Sequence, residues 1–247
     1  MLSPSAQQIL ADILSVGGDP AHPLAGSVRA PAPGAAELFE LCELMAGQPA
    51  ELDLQAFFQR NVGFLTGVFG TNDNLDLAVL FQPQIGTHHR ADFCVLQISQ
   101  GGARACLIEI ESCHEKLYTK ALTPAKRLNG ALGQLDDWQA RIDRDPDYHA
   151  KALVEAACKL PMGQFSGNPS GVRFRKTGDI ENLWRAFGGL DVPTFSYVVV
   201  MGRWSQLNTK EKARLIDFNR MNQGHRTLYT YEQLARQANT RIDHDEF

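Results

Sequence analysis

The chain has 247 residues, 44% hydrophobic and 21% charged, an ordinary globular balance that excludes a disordered, fibrous or collagen-like polymer. A formal net charge of −4 excludes nucleic-acid binding through overall positive charge, so any such contact must be local. No run approaches the ~18 apolar residues of a membrane span. The opening MLSPSAQQILADIL lacks the basic start of an export signal, so a cytoplasmic location without membrane contact is expected.

The five cysteines, Cys42, Cys94, Cys106, Cys113 and Cys158, are scattered and never spaced C-x-x-C. That argues against a disulfide framework and a structural zinc site, and for reduced, mostly buried thiols.

In chain order, SPSAQQILADILS predicts a short helix entered through Ser3 and Pro4, with Ile9, Leu10, Ile13 and Leu14 on one face. GGDPAHPLAGSVRAPAPG, residues 17–34, reads as an irregular linker, and AAELFELCELMAG as a second helix ending at Gly47. Residues 1–47 are therefore expected to form a helical N-terminal region, with one main domain over 48–247. PAELDLQAFFQRNVGFL predicts a further helix with Leu52, Phe57 and Phe58 facing the core, and Glu51 and Gln55 on another face.

Two β-rich runs follow, LDLAVLFQPQI and RADFCVLQIS, then ACLIEIES beyond the Gly101–Gly102 pair. LNGALGQLDDWQARI, 128–142, has a helical period and is expected to pack on the sheet. Residues 161–193 read as a glycine-rich insertion with a short helix near 181–187. FSYVVVMGR predicts a buried strand, NTKEKARLIDFNRMN a helix, RTLYT a strand, and TYEQLARQANTRI a closing helix capped by Thr230. A meander followed by strand, helix, strand, helix gives an α/β fold with a mixed sheet.

With Gly101 and Gly102 as a two-residue turn, Gln100 pairs with Ala103 and Asp92 falls opposite Glu111. Glu109 is then the diagonal neighbour at ~7 Å. Three carboxylates crowded on one patch of sheet repel one another, and a hard divalent ion is one means of relief. The plain alternative is a solvated row of acids paired with Arg90 or a lysine. Against it, Ile108 and Ile110 flank the acids in an apolar run typical of an internal strand. His88 and His89 alternate faces and make poor joint metal ligands. No G-x-S-x-G elbow, phosphate-binding loop or G-x-G-x-x-G is present.

Arg90-Ala91-Asp92-Phe93 and Ile108-Glu109-Ile110-Glu111 resemble the paired-strand motif of the PD-(D/E)xK (restriction-endonuclease-like) nuclease superfamily. The order ELDLQAFFQRN, ADF, LIEIE, HEKLYTK, ALGQLDDW, FSYVVVMGR, TLYTYEQL is similar to the Shedu-type (DUF4263) nuclease domain of bacterial antiphage defence, over roughly residues 50–240. The resemblance implies a mixed sheet flanked by helices and a metal-dependent DNA endonuclease using Mg²⁺ or Mn²⁺. It implies ligation by Asp92, Glu109 and Glu111 with Glu51 as a further acid, and catalytic parts for Lys120 and Gln134. Glu111 stands where the superfamily's lysine does, and Ala91 where its proline does, so Lys116, Lys120 or a second metal would have to supply the lysine's charge.

Trp138 reads as core packing. Nucleic-acid contacts are expected from Arg90 and from two basic stretches, Lys116, Lys120, Lys126 and Arg127 in one and Arg173, Arg175 and Lys176 in the other, although short charge runs are also ordinary surface. DNA, including phage DNA, and further copies of the chain are the expected partners. The second reading is a catalytically weak nucleic-acid sensor or structural subunit with the same fold.

Overall fold

The computed structural model describes residues 2–16, 33–70, 76–99, 102–160, 194–222 and 225–239. Most of the expected 17–34 linker and all of the 161–193 insertion, with Arg173, Arg175 and Lys176, lie outside these residues.

Five strands form one mixed sheet: β1 (Asp76–Phe81), β4 (Phe93–Ser99), β5 (Gly102–Ile110), β6 (Thr194–Val200) and β7 (Arg226–Tyr229), side by side in that order. β4 runs antiparallel to both its neighbours, β1 and β5, while β5, β6 and β7 are mutually parallel. A small ribbon, β2 (Gln84–Ile85) with β3 (His89–Arg90), stands apart.

Alternation along the strands divides the core into two layers. On one face Leu77, Val79, Phe93, Val95, Ile108, Ile110, Val198 and Val200 pack against α1 (Pro4–Ser15), α2 (Ala35–Ala46), α3 (Glu51–Arg60), α4 (Gly63–Phe69) and α8 (Tyr231–Asn239). On the other, Leu80, Cys94, Leu96, Leu107, Tyr197 and Val199 meet α5 (Lys126–Ile142), α6 (Pro146–Cys158) and α7 (Thr209–Met221). Helices α1 and α2 bury Ile9, Ile13, Leu38, Leu41 and Met45 in the first layer, so the N-terminal helices share a core with the sheet and with α3, α4 and α8. Among the described residues no helix is long and apolar enough to cross a membrane.

Local chemistry explains most elements. Ser3 caps α1, its Oγ accepting from Ala6 N, with Pro4 in the first turn. Thr230 caps α8: its Oγ1 accepts from Gln233 N, and Gln233 Oε1 accepts in return from Thr230 N. Asn208 and Glu211 form the same reciprocal arrangement at α7. Along α5, Leu128, Ala131, Leu135, Trp138 and Ile142 are buried at helical spacing, and Trp138 is core as expected.

Five expectations are corrected. The hairpin register is displaced: Ser99 pairs with Gly102 and Phe93 with Ile108, so Gly102 opens β5 instead of closing a turn. The expected register would have set Glu109 opposite the fully buried Cys94, whereas the observed one pairs Cys94 with Leu107 and carries Glu109 out to the strand end. Because the displacement is even, every side chain keeps its face. The second correction is Leu52, which is 71% exposed, since the buried stripe of α3 is Leu54, Phe57 and Phe58. On α1, Leu14 is 47% exposed and the buried contacts are Ala6, Ile9 and Ile13. Finally, the helix expected from Pro49 onward breaks at Asn61, and RADFCVLQIS divides at Ala91–Asp92 between β3 and β4.

Candidate functional site

The acids gather where β5 ends and the first turns of α3 and α5 approach it, beyond the carboxyl end of a parallel strand, where open α/β sheets commonly place ligands. Asp92 stands just before β4. Its N–H donates to Ile108 O at 3.1 Å, and its carboxylate accepts from Ile110 N at 2.7 Å and from Gln55 Nε2 at 2.8 Å. The side chain therefore closes the ladder that β4 itself leaves open at the end of β5.

Glu109 is buried and takes a hydrogen bond from Gln134 of α5. Glu111 is one residue past β5. Its backbone N–H donates to Val200 O at 2.9 Å and its carbonyl accepts from the buried Tyr231 hydroxyl at 2.6 Å, which fixes the strand exit. Its carboxylate receives Arg127 Nε at 2.6 Å, and the same guanidinium reaches Glu51 through Nη2. Gln55 Nε2 also lies 3.4 Å from Glu51 Oε1, so one side-chain amide bridges Glu51 and Asp92.

The electrostatics follow from this crowding. Burial pushes Asp92 up to about 7, with Glu51 and Glu111 adding repulsion and the Ile110 and Gln55 hydrogen bonds opposing it. Burial and then repulsion from Asp92, Glu111 and Glu51 push Glu109 up to about 9. Glu111 is raised by burial and by Glu51, and partly restored by Arg127.

Four carboxylates are the hard oxygen donors that magnesium or manganese takes, and burial with mutual repulsion is what a divalent cation relieves. Among the described residues no three acidic, histidine or cysteine side chains stand together at cation-holding distance. Two of the four acids are instead drawn onto Arg127. The donors fit such an ion in kind. Among the described residues Glu51 and Glu111 are paired with Arg127, whereas Asp92 and Glu109 have no ion-pair partner.

The structure thus brings together Asp92, Glu109, Glu111, Glu51 and Gln134. Lys116 and Lys120 are exposed on the loop after β5 and line a cavity of about 640 Å³ with His114, Arg203, Asn208 and Glu211. Among the described residues the cation that reaches the acids is Arg127. Arg90 is exposed on β3, and His88 and His89 belong to the same small ribbon.

Sequence reasoning missed the roles of Gln55 and Arg127. Gln55 carried a signal, since it lies one turn from Glu51 on α3 and is polar on a helix whose other buried positions are apolar. Arg127 stood out only as part of a basic stretch, and its pairing with the acids carried no signal, because its partners lie 16 and 76 residues away along the chain.

No curated protein matches the chain. The family described as Shedu protein SduA, C-terminal, matches residues 49–235, from the start of α3 well into α8, and the chain belongs to that family.

Proposed function

We propose that this protein is a divalent-metal-dependent DNA endonuclease of bacterial antiphage defence with a PD-(D/E)xK-type core. Membership of the Shedu family implies antiphage defence. The observation that carries the nuclease reading is the burial of Asp92 and Glu109 at one strand end beside Glu51 and Glu111, where burial first and then repulsion from the neighbouring acids push both carboxyls up. A fold that gathers four acids around a strand end destabilises itself unless a cation joins them.

Asp92 and Glu109 would hold Mg²⁺ or Mn²⁺, with Glu111 and Glu51 as further oxygens. When bound, such an ion neutralises charge growing on phosphate oxygens during phosphodiester hydrolysis. Gln134 steadies Glu109 from the sheet's α5 side, and Gln55 steadies Asp92 from α3. Among the described residues Arg127 is the cation paired with Glu111, the position where the superfamily's lysine would stand, while Lys116, Lys120 and Arg90 are exposed and available to the DNA backbone. The test is cleavage of linear and supercoiled DNA in Mg²⁺, Mn²⁺ or EDTA, with Asp92→Asn and Glu109→Gln proteins alongside.

The second reading, a nucleic-acid sensor that does not cut, draws on one specific observation: Arg127 by itself already neutralises part of the cluster. DNA affinity that persists unchanged in EDTA, with no cleavage in any metal, favours it.

A further inference from the structure

We infer that Arg127 is a latch on the carboxylate cluster, which must leave Glu51 and Glu111 before they can take a divalent cation and which is then free to pair with a DNA phosphate. This rests on the nuclease reading of the same site. Arg127 is the second residue of α5, and a cation in a helix's first turn is opposed by the helix dipole, so the acids and not the helix hold it there. Its side chain is 52% exposed, whereas that of Glu111 is 7% exposed. The arginine can therefore swing to solvent without disturbing the core, but Glu111 cannot follow it.

Charge decides what happens next. One guanidinium carries a single positive charge over two carboxylates, with Asp92 and Glu109 close enough to add their own repulsion. A divalent cation in its place supplies twice the charge to the same oxygens. The forked, always-charged group thereby displaced matches a phosphate by two parallel hydrogen bonds. Metal loading, release of Arg127 and grip on the DNA backbone are in this way one exchange of ion partners. Each reinforces the others, as linkage requires.

The test uses the full chain without DNA, melted in EDTA and over a Mn²⁺ titration, as wild type, Arg127→Gln, and Arg127→Gln combined with Glu111→Gln. Arg127→Gln is expected to melt lower in EDTA, because Glu111 is left buried and unpaired, and to gain more from Mn²⁺, with an apparent affinity roughly tenfold tighter than wild type. The double variant regains stability in EDTA and loses the extra gain. Identical Mn²⁺ responses in wild type and Arg127→Gln, or an extra gain that survives Glu111→Gln, would overturn the latch. Should Arg127→Gln fail to fold, Arg127→Lys serves: its point charge cannot fork across two acids, so its Mn²⁺ response should exceed that of wild type, and equality would overturn the proposal. A second arm measures Ca²⁺ affinity with and without a short duplex. The duplex should tighten Ca²⁺ several-fold in wild type and much less in Arg127→Gln, whereas equal coupling would contradict the release to phosphate. The expected Mn²⁺ responses in a protein that never cuts DNA would leave the latch standing and the nuclease reading failed. Cleavage by a wild type whose Mn²⁺ response equals that of Arg127→Gln would do the reverse.

Discussion

Gln55 donates through Nε2 to Oδ1 of Asp92 at 2.8 Å, tying the first half of α3 to the mouth of β4 across 37 residues of sequence. A neutral amide at this point can donate to a carboxylate without adding charge to a cluster that already has four. Gln55→Glu removes the donor and adds a fifth acid in a position only 6% exposed. It is expected to destabilise the metal-free protein by about 2 kcal/mol at neutral pH, read from urea unfolding. Acidification should reverse most of that loss.

The raised acids make a prediction about pH. In the unfolded chain Asp92 and Glu109 titrate at about 4. In the folded protein they are pushed up to about 7 and about 9. Between those limits the folded state binds more protons than the unfolded, so stability contributed by these groups is present below pH ~4 and is lost as pH rises through their folded values. In EDTA the urea midpoint should fall from pH ~5 to pH ~8, and Glu109→Gln should flatten the slope. A metal-free wild type equally stable at both, with the variant indistinguishable, would contradict the electrostatic account.

The docking of α1 can be tested separately. Arg203 Nη2 meets Asp12 of α1 at 3.1 Å and its Nε meets the fully buried Glu232 of α8 at 3.1 Å. Glu232 also accepts from Ser205 Oγ at 2.7 Å and from Trp204 N. Arg203→Met strands Glu232 in the core and should cost ~3 kcal/mol, while Asp12→Asn, at the part-exposed end, should cost ~1 kcal/mol or less. The two urea midpoints check this ordering.

Gly202 follows β6 with φ +66°, and a Cβ there would lie 2.2 Å from Leu117 Cδ1 and 2.9 Å from Glu115 O. Gly202→Ala combines a left-handed backbone with a clash against the loop that carries Lys116 and Lys120. A loss of ~2–3 kcal/mol is expected in chemical unfolding, with increased proteolytic cutting at that loop.

The strands, the long amphipathic α5 and the Thr230 cap were legible because each rests on local period or local hydrogen bonding. The hairpin was legible in face and not in register, because a glycine pair allows more than one turn and burial of Cys94 decided between them. Helix α6 was missed although Asp145 and Pro146 mark its start: Asp145 Oδ1 accepts from Tyr148 N at 3.1 Å with the proline in the first turn. Asp92 and Glu109 could be found from strand alternation. The Arg127 bridge could not, since only the packing of α3 and α5 at the same sheet end brings it about.

The most direct test of the central claim is DNA cleavage by the full chain in Mg²⁺ or Mn²⁺, compared with EDTA and with Asp92→Asn and Glu109→Gln proteins shown to be folded by thermal melting. The account predicts cutting that requires metal and falls at least ~100-fold in both variants. Cutting that is unaffected by EDTA or by either substitution, or no cutting by wild type in any metal, would contradict it.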